Sequence, residues 1–283
     1  MLTKERKKQL DTDLWIIAGV SLLVLVIYTV FGREIDNIAV DTEIPIVLRV
    51  LFMGGIFQFG IAGLGITIVA IVRKERFSDH GLTRKHLLPA IALSALCCVP
   101  DLLYNLFAGN VHTWLPFSAV QTTAEALESG FPENALAMLL TALFWGFFEG
   151  FNYVVIFDKI GERYPSKNRL WDWGAFVCAV MCILIHGAVG VTPGAVAEML
   201  CTLFLIYGML IVRKATGNAW GCVLIFVLYW NALEEIQNSE LDDLWNGMCW
   251  GADPVHLPDH DLAVQKSSLV DPRLPQGHSG KIF

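Results

Sequence analysis

Residues 134–157 read NALAMLLTALFWGFFEGFNYVVIF: an apolar run that holds one carboxylate, Glu149, and is followed at once by the charged segment DKIGER. A bilayer core about 30 Å thick is crossed by ~20 predominantly apolar helical residues. The stretch therefore reads as a membrane-spanning helix with an ionisable group inside it. That reading sets the fold class and says where function is to be sought.

Working outward, comparable runs occur at 14–32, 47–72, 87–107, 172–192, 195–212 and 218–233, which predicts about seven spans in all. The second is long enough to tilt or to begin as an interfacial turn around Arg49, and Pro100 and Asp101 in the third predict a kink. Composition agrees. Of 283 residues, 55% are hydrophobic and 17% charged, and the mean hydropathy of +0.54 lies outside the range of soluble domains. The expected fold is all-α, a polytopic membrane helical bundle in one domain.

The loop charges fix the expected orientation, because Lys and Arg collect on cytoplasmic connections. The N-terminal tail carries Lys4, Arg6, Lys7 and Lys8, and the second loop Arg73, Lys74, Arg76, Arg84 and Lys85. The fourth loop carries Lys159, Arg163, Lys167 and Arg169, and the sixth Arg213 and Lys214. These are fifteen of the 20 basic residues. The opposite connections hold Arg33 among Glu34, Asp36, Asp41, Glu43, Glu125, Glu128 and Glu133. Alternation of this kind predicts an N-in, C-out, multi-pass protein of the cell membrane. Residues 1–13 would be a cytoplasmic basic tail, 14–233 the transmembrane domain, and 234–283 an acidic extracytoplasmic tail, amphipathic at its start and partly disordered. The first run lacks a small-residue cleavage site and reads as an uncleaved span.

Some classes fall away. A net charge of −7, with the basic residues assigned to loops, leaves no nucleic-acid-binding face. Six of the seven cysteines lie within apolar runs, which is not the framework of a disulfide-stapled secreted domain. Cys178, Cys182 and His186 share a helix face but read as buried small residues, so neither a metal nor another cofactor is expected.

Ionisable groups in hydrocarbon are costly and mark functional sites. The candidates are Glu149 and Asn152 in the fourth span, His186 in the fifth, Asn231 in the seventh, and Asp101 with Asn105 in the third. Gly146 and Gly150 flank Glu149 and allow a neighbouring backbone to approach closely. Counting 1.5 Å per residue, His186 and Asn231 lie ~20 Å from the inner ends of their spans, and Glu149 is shallower. Glu149, His186 and Asn231 together supply the parts for amide hydrolysis: a base for water, a proton-transfer partner and an oxyanion donor. The same three groups also suit interhelical hydrogen bonds that hold a bundle together. Asp101 fits either a proton or ion path or the backbone groups freed by the Pro100 kink.

Order and setting of these residues resemble the family of intramembrane proteases that includes the CAAX prenyl endopeptidases and the bacteriocin-processing membrane proteins. FFEGFNYVV (147–155) stands at the place of that family's Glu-Glu-x-x-x-Arg motif, CILIHG (182–187) at its Phe-x-x-x-His motif, and RKATGNAWGCVLIFVLYWNAL (213–233) at its His-x-x-x-Asn motif. The resemblance covers about 134–233. Gly150 replaces the second Glu, Val154 the Arg, Cys182 the Phe, and Val227 the His; a register counted from Trp220 would put the last motif's His at Phe226 and its Asn at Trp230. The resemblance implies Glu149 as base, His186 as its partner and Asn231 as oxyanion donor, with Asn152, Tyr153 and Asp101 around the cavity. The implied partners are membrane lipid and a membrane-associated or lipidated peptide. The alternatives are a non-catalytic relative that binds a membrane partner, and a small-solute transporter, although no internal repeat supports transport.

Overall fold

The computed structural model describes residues 2–109, 114–168, 170–186 and 189–232, and among these it contains helices and no strand. The helices are α1 (Lys4–Val40), α2 (Ile46–Arg73), α3 (Leu87–Ala108), the short α4 (Thr123–Glu128), α5 (Glu133–Arg163), α6 (Trp173–Ile185), α7 (Pro193–Thr216) and α8 (Trp220–Trp230). Five of them, α1, α2, α3, α5 and α7, are long and apolar enough to cross a membrane. The expected spans over 172–192 and 218–233 are present as shorter apolar helices, and the 13 residues of α6 reach ~20 Å. The acidic tail expected at 234–283 lies outside the described residues. Most of the segment expected as a basic tail is helical, since α1 begins at Lys4 behind the Thr3 cap.

Local signals account for the ends. Asp172 caps α6 by accepting from the Gly174 N–H at 2.9 Å, and Thr192 caps α7 ahead of Pro193 at the first helical position. Gly217, at φ 71°, closes α7. The Pro100 kink divides α3, whose regular helix ends at Cys97 and resumes at Val99.

Helix α5 is the hub, buried continuously from Glu149 to Phe157. Around it pack Ile66 and Val69 of α2, Cys178 and Ala179 of α6, Leu205 and Met209 of α7, and Val223 and Phe226 of α8. The glycines flanking Glu149 serve close approach as expected. A Cβ on Gly146 would lie 2.6 Å from Val227 Cγ2, and one on Gly150 3.1 Å from the Val223 Cα. The glycines of α2 act likewise: Gly65 meets α1 with 2.9 Å between its would-be Cβ and the Ile17 Cα.

At the end where the N-terminus, the second and fourth loops and the end of α7 meet, charges are buried in a continuous set. Lys159 Nζ donates to Asp13 Oδ2 at 3.0 Å and to both Glu75 oxygens at 2.9 and 3.2 Å. Arg73 Nε donates to the other Asp13 oxygen at 2.7 Å. His80 lies 3.5 Å from Glu75 and 3.0 Å from Asp158, and Arg213 completes the chain on Asp158 at 3.1 Å. At the opposite end Arg49, fully buried, donates to the Ala39 and Ile44 carbonyls and pairs with Glu125. Basic residues that read as orientation signals thus also tie helices together.

Candidate functional site

Three π-helical stretches lie around Glu149: Met53–Leu64 in α2, Ala142–Phe148 in α5 directly before it, and the single turn Phe226–Trp230 in α8. Such turns widen a helix and recur at functional sites, because they redirect side chains that a regular helix would present elsewhere.

Glu149, 6% exposed, is held on both carboxylate oxygens. Gln58 Nε2 donates to Oε2 at 2.8 Å, and His186 Nε2 lies 3.2 Å from Oε1. Helix α6 ends at Ile185, so His186, expected inside the 172–192 span, follows the last helical turn. His186 caps the helix with φ −87° and ψ 5°, so its imidazole stands at a helix end rather than on a helix face. There its Nδ1 lies 2.9 Å from the Cys182 carbonyl oxygen. A carbonyl only accepts, so it fixes a proton on Nδ1 and leaves Nε2 to share a proton with Glu149. A single proton between a carboxylate and an imidazole can be taken up and returned, as general acid–base chemistry requires. The imidazole side chain is 34% exposed, so one side of the pair is open.

The other site candidates divide. Asn152 is buried, and its Oδ1 meets no hydrogen-bond partner among the described residues; the same holds for the Nδ2 of Asn231. Asn231 forms no hydrogen bond with Glu149 or His186 among those residues. Its main-chain oxygen is engaged by the Ala119 N–H at 3.3 Å and the Ser118 hydroxyl at 3.4 Å. Its neighbour Trp230 is the residue that reaches the pair, in an edge contact with His186 at 5.3 Å between centroids. Tyr153 stacks on Phe226 at 5.4 Å, forming the wall beside them. Asp101 is separate: its carboxylate accepts from the Tyr229 hydroxyl at 2.7 Å and from Asn105 at 3.4 Å, side-chain donors rather than the backbone of the kink.

Gln58 was not among the residues that sequence reasoning singled out. It sits in MGGIFQFGIAGL, where four glycines point to packing, yet it is the one polar side chain of that run, and this was the available signal. Among the described residues no three His, Cys, Asp or Glu side chains are arranged to hold a metal ion.

No family model matches the chain, and neither a curated protein nor a solved structure matches it. Fold and site by themselves define a class: helical throughout the described residues, with five helices long and apolar enough to cross a membrane and a carboxylate–imidazole pair open on one side.

Proposed function

We propose that the chain is a seven-span protein of the cell membrane, with its N-terminus cytoplasmic, and that it is an intramembrane endopeptidase similar to the CAAX prenyl proteases. The observation that carries this reading is the Glu149–His186 pair at 3.2 Å, with Gln58 on the other carboxylate oxygen. Alternation of basic and acidic loops supports the topology. The early end of α6 supports a wet site, because non-helical backbone at membrane depth is tolerated where it lines a cavity or is buried in protein.

In this reading Glu149 takes a proton from a water molecule, and the resulting hydroxide adds to the carbonyl of a membrane-associated or lipidated peptide. The Asn231 amide, whose Nδ2 has no partner among the described residues, is the oxyanion donor. The proton shared with His186 passes to the departing amine, leaving one new carboxyl and one new amine. A second reading has one observation in its favour: protein groups already hold both oxygens of Glu149, as they would in a purely interhelical contact within a partner-binding relative or a transporter.

Purified protein in lipid nanodiscs, incubated with prenylated and unmodified peptides, separates the two. We expect cleavage by the native chain and its loss in Glu149→Gln and His186→Ala. Cleavage absent throughout, or indifferent to both substitutions, would overturn the protease reading. Orientation is tested apart from chemistry by labelling a cysteine placed at Lys8 and one at Glu128 from each side of sealed vesicles. Equal labelling of both sites from one side would refute the proposed topology.

A further inference from the structure

Among the described residues, His186 has few restraints for a residue asked to share a proton. It lies past the last turn of α6 and is one-third exposed, and its polar contacts, to the Cys182 carbonyl, to the Cys182 thiol at 3.6 Å and to Glu149, act on the ring nitrogens. Those contacts leave tilting of the ring unopposed on its exposed side. Among the described residues the ring contact that opposes it is Trp230, whose ring lies 79° to the imidazole with centroids 5.3 Å apart.

Trp230 is the last residue of the π-helical turn in α8 and follows Tyr229 directly. The Tyr229 hydroxyl donates to Asp101 Oδ2 at 2.7 Å, with the Cys98 carbonyl 3.4 Å away, at the kink of α3. On another side the turn is held by the indole N–H of Trp114, which donates to the Leu228 carbonyl at 3.0 Å. It is held again by the Leu115 N–H on the Ala232 carbonyl at 3.1 Å. A π-helical turn is less favourable than a regular one and persists where outside contacts secure it. The two residues of one dipeptide thus face two polar groups: Tyr229 the carboxylate of α3, and Trp230 the imidazole after α6.

We infer that Asp101, through Tyr229, is a positioning residue for His186: the Tyr229–Asp101 hydrogen bond holds the α8 turn so that Trp230 keeps the imidazole aligned on Glu149. Asp101 touches neither member of the pair, and the coupling runs through one side-chain bond and one ring contact. The inference rests on the reading of Glu149 and His186 as the reacting pair for its catalytic consequence, but not for its structural one.

The experiment uses full-length protein in nanodiscs, labelled with 15N-histidine and with the His186 signals assigned by comparison with His186→Ala. Tyr229→Phe removes the hydroxyl and keeps the ring; Asp101→Leu removes the acceptor. Both are expected to shift and broaden the His186 ring-nitrogen signals in the same way, and to lower kcat by about tenfold or more with little change in KM. Asp101→Asn keeps an acceptor oxygen for Tyr229 and is expected to restore most of the native spectrum. That rescue separates positioning from a general loss of packing, and near-native unfolding midpoints establish that the variants fold. Native His186 signals in Tyr229→Phe, or signals in Asp101→Asn as altered as in Asp101→Leu, overturn the inference. If no variant or native chain cleaves peptide, the proteolytic reading fails while the spectra still decide the positioning.

Discussion

Two buried polar clusters in this molecule are built on opposite plans. At the end where Asp13, Lys159, Glu75, His80, Asp158 and Arg213 meet, every carboxylate faces a cation or a histidine, and Lys159 alone serves two carboxylates. Around Glu149 the partners among the described residues are fewer: one amide and one imidazole that is one-third open, while the Oδ1 of Asn152 and the Nδ2 of Asn231 find no partner among those residues. Burying a polar atom without a partner costs about 1–3 kcal/mol. A cluster that saturates its atoms is therefore one that holds helices together, and one that leaves donors and acceptors unspent is suited to a ligand's polar groups. The two clusters share α5, with Lys159 ten positions beyond Glu149, so the first anchors the helix that carries the second.

The sharpest break of that contrast is Lys159→Met. It leaves Asp13, with no exposed surface, beside Glu75 and supported by Arg73 alone. Removing one member of a buried ion pair costs about 3–5 kcal/mol, so the unfolding midpoint in detergent should fall far more than for any substitution at the other cluster. An unchanged midpoint would show that the charges are solvated and hold nothing. Glu149→Gln should do the reverse. It keeps shape and an acceptor oxygen, so stability should move by only about 1 kcal/mol, whereas peptide cleavage should fall by about 10²–10⁴-fold. If Glu149→Gln unfolds the chain while cleavage by the folded fraction is normal, the second cluster is structural like the first.

What the sequence carried of this arrangement follows from the kind of signal each part leaves. The long helices were legible because apolar runs of spanning length admit few other structures. The close packing of α5 on α8 was legible in Gly146 and Gly150. The end of α6 was not, because CILIHGAVGV stays apolar through His186; Gly187, directly after it, was the only stop signal in reach. The π-helical turns leave no periodicity that distinguishes them from regular helix in a uniformly apolar run such as ALFWGFF. The saturated cluster was hidden for a different reason: once Arg73, Lys159 and Arg213 account for orientation, nothing in composition says that they are also paired, or that Asp13 is buried among them.

Gln58→Leu probes the neutral partner of Glu149. The substitution keeps bulk in α2 and removes the donor to Oε2, and a hydrogen bond contributes about 0.5–1.5 kcal/mol. Cleavage should fall by about tenfold, with the loss in kcat rather than KM if Gln58 orients the carboxylate in the reacting state. Equal loss in Gln58→Leu and Glu149→Gln would mean that the carboxylate cannot act unless this amide holds it.

The smallest effect is expected at Cys182, which stands where the resembled family has phenylalanine and whose Sγ lies 3.6 Å from His186 Nδ1. The shorter contact of that nitrogen, 2.9 Å, is with the Cys182 main-chain carbonyl, which any side chain at 182 leaves in place. Cys182→Ala should therefore lower stability by about 1 kcal/mol through lost packing and leave cleavage within about twofold, since the carbonyl continues to fix the proton on Nδ1. A loss of cleavage comparable to that of His186→Ala would move the thiol into the chemistry, with His186 then bridging a sulfur and a carboxylate in the manner of a nucleophile, base and orienting acid.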